Sequence, residues 1–122
     1  MEQINKDDSI LKTKSFLFAV RIIKLAQYLQ KEKGEYILSK QIIRSGTSIG
    51  ALVREAEFGQ SKADFVHKLS IALKEANETE FWLSLLKDTD YIDERLAESL
   101  LDDCSEIIPI LISSIKTAKK NQ

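Results

Sequence analysis

From Ser61 to Lys87 the chain reads SKADFVHKLSIALKEANETEFWLSLLK, a segment that opens on a helix cap and keeps one helical register to its end. Ser61 is placed to accept from the backbone N–H of Asp64 while Asp64 reaches back to Ser61, a reciprocal pair that satisfies two otherwise orphaned donors. Phe65, Leu69, Ala72, Ala76, Leu83 and Leu86 then recur at steps of four, three and seven, the 3.5-residue period that keeps one apolar seam facing a partner helix. The seam sets the fold class and carries no catalytic chemistry.

Only four glycines and one proline punctuate the 122 residues, and they divide the chain into helix-length pieces. Gly34 ends a first helix expected from Thr13 or Lys14 to Lys33, which leaves the first dozen residues loose. A second spans Glu35 to Phe58, where Leu38, Ile42, Ser45, Ile49, Leu52 and Ala56 follow a heptad-like line straight through Gly46 and Gly50. After the Ser61–Lys87 helix, DTDYID supplies a turn and Asp93 or Asp90 a cap. A fourth helix runs to about Lys119, with Leu96, Leu100, Cys104, Ile108, Leu111 and Ile115 on one face and a kink expected at Pro109. No stretch alternates with the period of a strand. One all-α domain over residues 1–122 follows, an up-down-up-down antiparallel four-helix bundle.

Lys plus Arg number 18 against 19 Asp plus Glu, a formal net charge of -1, so no global field draws the protein to nucleic acid or to an anionic membrane. No apolar run approaches the ~20 residues of a membrane span, and the N-terminal stretch lacks the apolar core of a secretory signal. A cytoplasmic protein is expected. Cys104 and His67 are the sole cysteine and histidine, which excludes an internal disulfide and leaves no metal cluster of the usual nitrogen and sulfur type. Neither a cofactor nor a catalytic set is expected.

The first helix is apolar over more than half its circumference: Phe18, Ile22, Leu25 and Leu29 lie together, and Ala26, Ala19, Ile23, Phe16 and Val20 continue the arc. A peripheral helix of an isolated bundle needs a stripe of only somewhat over ~100°, so the excess points either to a covering copy of the same chain or to a wide face buried inside one subunit. The fourth helix carries a similar excess around Ile107, Ile108, Ile110, Leu111 and Ile112. In the second, Ser39, Gly46 and Gly50 form a flank of small residues suited to close helix approach, since a helical glycine costs roughly 0.5–1 kcal/mol relative to alanine and calls for a compensating contact.

Leu38 to Leu86, LSKQIIRSGTSIGALVREAEFGQSKADFVHKLSIALKEANETEFWLSLL, closely resembles the 23S rRNA intervening sequence proteins, also called S23 ribosomal proteins, and SFLFAVRII from Ser15 to Ile23 extends the match. The last helix matches in hydrophobic pattern only. The resemblance implies a bacterial all-α bundle that assembles into a closed ring, commonly of five subunits, with no established enzymatic activity.

Several residues are candidates for more than packing. Lys14, Arg21, Lys24 and Lys31 lie on adjoining lines of the first helix with Tyr28 among them, an arrangement able to follow an RNA backbone and stack a base. Glu80 continues the line of Val66 and Leu73 at the core margin, where a carboxylate needs a partner; Arg44, Arg54 and Lys68 are the candidates, within the subunit or across an interface. Glu75 and Glu78 fall on the outer side. Trp82 is a candidate interface anchor. The expected partners are the chain itself, with RNA or another protein beyond it and no membrane. A non-enzymatic interaction scaffold is the first functional expectation and an RNA-binding accessory protein the second.

Overall fold

The computed structural model describes residues 6–121, with side chains from Asp8 onward. Among these residues the chain is all helix: α1 (Lys6–Lys33), α2 (Leu38–Glu57), α3 (Lys62–Asp88) and α4 (Glu94–Lys120). Each helix packs against the next, α4 returns to α1, and the diagonal pairs do not meet. The four therefore stand around one core. The α1–α4 seam is much the thinnest of the four.

The core follows most of the seams predicted from periodicity, but on α4 Ala97 and Ile107 are buried where Leu96 and Ile108 were expected, so Ile107 and Leu111 belong to the core rather than to the excess apolar surface expected of that helix. Phe18, Ile22 and Leu29 of α1, Ile42 and Ile49 of α2, Leu83 and Leu86 of α3, and Leu100 and Leu111 of α4 are almost wholly buried. Each such side chain contributes roughly 1.5–3 kcal/mol of transfer free energy. On α3 the seven-residue step from Ala76 to Leu83 passes over Thr79, which is also buried.

The helix ends explain where prediction and structure part. Helix α1 begins at Lys6, well before Thr13, because Leu11 belongs to the core and Asp8 Oδ1 accepts from Ser114 Oγ of α4 at 2.9 Å. Residues 1–5 of the expected loose start lie outside the described residues. Helix α2 starts at Leu38 with no cap from its own N-cap residue, Ile37. Its end is satisfied from the turn instead: the Glu35 carboxylate accepts from Ile37 N at 3.1 Å, Leu38 N at 2.8 Å and Ser39 N at 2.7 Å. Gly34, at φ 61°, takes the left-handed conformation that reverses the chain just before it.

At α3, Ser61 accepts from Asp64 N at 3.0 Å, but the expected return bond does not form and Asp64 lies beside Gly59 instead. Asp93 rather than Asp90 caps α4, its carboxylate accepting from Leu96 N at 2.8 Å, while Asp90 closes the turn at φ 64°. Helix α4 continues through Pro109 without a break. No helix of the described residues is long and apolar enough to cross a membrane.

Candidate functional site

Helices α1 and α2 approach closely where glycines remove side chains. A Cβ on Gly46 would stand 2.8 Å from Ile22 Cγ1 and 2.9 Å from Ile22 Cγ2, and one on Gly50 would stand 3.2 Å from the Ser15 carbonyl oxygen. Ser39, from the same predicted flank, acts through its hydroxyl: it donates to the Glu35 carbonyl at 2.9 Å and accepts from Gln30 Nε2 at 3.2 Å. It ties down the α1–α2 turn rather than admitting a backbone.

Helices α2 and α3 are joined by polar contacts that the sequence did not place. Arg44 spans the seam to both Glu75, at 3.1 Å, and Glu78. The two carboxylates expected on the outer side therefore lie at this seam, Glu75 with only 14% of its side chain exposed. The Thr79 hydroxyl lies 3.0 Å from Ser45 Oγ and 2.7 Å from the Glu75 carbonyl oxygen, so a buried polar pair is fully hydrogen-bonded. Lys68 pairs with Glu55 at 3.1 Å.

Glu80 is joined to none of Arg44, Arg54 and Lys68 within the chain. It faces α4, where Ser105 Oγ donates to its Oε2 at 3.2 Å. The physical reason is rotational: Arg44 and Lys68 lie on the α2 side of α3, and Glu80 has turned past the core to the other flank. Arg54 is exposed and lines a surface groove. Trp82 is half-buried against the core, its Nε1 donating to Glu78 Oε2 at 3.0 Å. The exposed aromatic is its neighbour Phe81, at 58%, whose ring meets that of Trp82 edge-on at 5.1 Å.

The expected basic row on α1 is divided. Lys14 pairs with Glu106 at 2.8 Å and Arg21 with Asp103 at 2.6 Å, both on α4. The hydrogen bond and charge of Glu106 hold the Lys14 ammonium above its ordinary pKa. Lys24, Tyr28 and Lys31 remain exposed. Sequence spacing located the cations but could not show that α4 presents acids to two of them.

Large apolar side chains stay in water. Phe16 is 64% exposed, Leu17 57% and Ile23 44%. Phe16 and Leu17 border an open groove of about 440 Å³ between α1 and α2, floored by Ala19, Thr47, Gly50 and Ala51 with Lys12 and Arg54 at its rim. Leu17 extends the apolar arc beyond the residues that helical spacing had placed on it.

His67 is exposed. Cys104 is buried beside the Ala76 carbonyl oxygen, 3.4 Å from its Sγ, and burial pushes its thiol up to about 12, which makes it inert as a nucleophile at neutral pH. Among the described residues no three or more His, Cys, Asp or Glu are grouped to hold a metal ion.

Fold and surface thus define an all-α, four-helix protein whose most distinctive exterior feature is an apolar flank. The sequence pattern of the 23S rRNA-intervening sequence proteins matches residues 7–113, and the chain belongs to that family. It is also similar to a protein of unknown function from the S23 ribosomal protein family of Bacteroides thetaiotaomicron VPI-5482, known from a crystal structure. The two are 57% identical over 90% of this chain and 98% of the other, with a TM-score of 0.89. No curated protein matches.

Proposed function

We propose that this protein is a non-enzymatic scaffold of the bacterial cytoplasm, an up-down-up-down antiparallel bundle that works as a homo-oligomeric, pentameric ring. The contacts Lys12–Glu57 and Gln30–Ser39 support the antiparallel course of α1 and α2, and the family supports the ring. The single observation that carries self-assembly is the exposure of Phe16, Leu17 and Ile23 on α1. A contiguous apolar flank of this kind on a folded domain marks a surface that another molecule covers. Size-exclusion chromatography with light scattering tests the proposal. A mass several times the 13.9 kDa of one chain is the expected result, and a single chain at high concentration overturns it.

An RNA-binding accessory protein is the competing function. Exposed Lys24, Tyr28 and Lys31 favour it, whereas Lys14 and Arg21 already meet carboxylates. Salt-dependent retention of RNA that Lys24→Glu with Arg21→Glu abolishes would carry that function, and no retention at low salt would reject it.

A further inference from the structure

We infer that the start of the chain, Met1 to Asn5, docks on one end of its own bundle and seats Ile4 in a cavity there. The docking takes place within a single chain and stands whether or not copies assemble. Two observations point to it, one from the sequence of α1 and one from the register between α1 and α4.

Leu11, Ser15, Phe18, Ile22, Leu25 and Leu29 are all buried. They recur at alternating steps of four and three, the period that holds one seam against its neighbours. Asp8 lies on the same line and is half-buried. Counted back by the same steps, the line passes through Ile4 and Met1, both apolar. The first five residues contain neither glycine nor proline, so their composition carries no signal against a helical turn. Glu2 is the one charged side chain among them, and an acid suits the N-terminal end of a helix.

The cavity lies where the start of α1 meets the end of α4. It holds about 380 Å³ and is lined from all four helices, by Asp8, Ala56, Phe65, Ser114 and Ala118 among others. Asp8 meets Ser114, Lys14 meets Glu106 and Arg21 meets Asp103, so residue numbers rise along α1 as they fall along α4. About one turn back from Asp8 is Ile4, and about one turn on from Ser114 is Ala118. The register therefore brings the next apolar position of the α1 seam to the apolar part of the cavity wall, Ala56, Phe65 and Ala118. Seating Ile4 there removes its side chain from water.

Ala118→Cys in a Cys104→Ala background puts a thiol on the cavity wall, and its rate of alkylation reports whether the wall is covered. Adding Ile4→Asp is expected to speed that reaction by about tenfold or more, because an unpartnered carboxylate is costly to seat in the cavity. Adding Asn5→Asp, which brings the same charge at a position off the seam, should leave the rate unchanged. Circular dichroism checks that each variant remains helical. A second measurement needs no disruption: Ile4→Cys with Ala118→Cys in the same background should form, on mild oxidation, a disulfide within one chain, with no change of chain mass on a non-reducing gel and both thiols lost to alkylation.

Equal alkylation rates with and without Ile4→Asp overturn the docking, as do paired thiols that stay free under oxidation. Equal acceleration by Asn5→Asp overturns the assignment of Ile4 as the seated residue. A disulfide that joins two chains overturns docking within one chain, since a second copy then supplies the segment.

Discussion

Along α2, helix α1 closes until a methyl group at position 46 would press on Ile22; along α4 it packs much more thinly, and the pairs Lys14–Glu106 and Arg21–Asp103 bridge the gap at the surface. One helix thus meets its two neighbours by different physics. On the α2 side the contact is shape, short-ranged and intolerant of added volume. On the α4 side it includes charge at a water-exposed surface, screened by salt and worth little in net stability. For α1, the small residues facing α2 let backbones approach and packing holds that seam, while toward α4 long side chains reach across a thinner one.

The sharpest way to break this contrast is Gly46→Ala. Ile22 is fully buried and cannot swing aside, so overpacking is expected to destabilise by about 1–3 kcal/mol, only partly offset by the better helix propensity of alanine. Chemical denaturation measures it. No loss of stability would show that the α1–α2 seam has slack.

Cys104 reports next on how dry the inner face of α4 stays, where its thiol meets the Ala76 carbonyl oxygen of α3. Burial pushes its thiol from an ordinary 9.0 up to about 12 in the fold. Below pH 9 both folded and unfolded states hold the proton, and its contribution is constant. Above pH 9 the unfolded chain ionises first, so stability falls as pH rises toward the folded value. Between pH 8 and 10.5 the parent should lose about 1–2 kcal/mol more than Cys104→Ala. Equal losses would mean that water already reaches the thiol.

Gly50→Ala is a finer test on the closely packed flank. Its added Cβ would stand 3.2 Å from the Ser15 carbonyl oxygen, a tight contact set against an alanine gain of roughly 0.5–1 kcal/mol. The net change in denaturation midpoint is expected to be near zero, clearly smaller than at Gly46. A small, salt-sensitive effect is expected on the other flank. Arg21→Met should cost about 0.2–1 kcal/mol in dilute buffer and less at 1 M salt. A larger, salt-independent loss would show that the pair acts by packing.

How much of this was legible depended on whether a signal was local. The four helices, their apolar seams and the caps at Ser61 and Asp93 follow from spacing within single segments, and the structure has them. The start of α1 was not legible, because what orders its first turns is distant in sequence: Leu11 meets the core and Asp8 meets Ser114. The cap of α2 escaped because a glutamate in the preceding turn supplies it, in place of the usual Ser, Thr, Asp or Asn. On α3, none of the candidate partners Arg44, Arg54 and Lys68 meets Glu80 within the chain, for a rotational reason. Residues 75, 78 and 82 face α2 while 80 faces α4, a distinction that requires knowing which helix stands on which side. The excess apolar surface of α1 was legible as composition; that Phe16 and Leu17 border a groove was not.

The corner between α1 and α2 also governs where the chain would accept foreign sequence. With Gly34 fixing the reversal and one carboxylate serving three consecutive amides, the connector has a set length and no slack. An inserted residue there would pull Glu35 out of reach and uncap the start of α2. Phe58 and Gln60, exposed in the turn ahead of the Ser61 cap, offer a more forgiving place to graft a tag or a reporter loop.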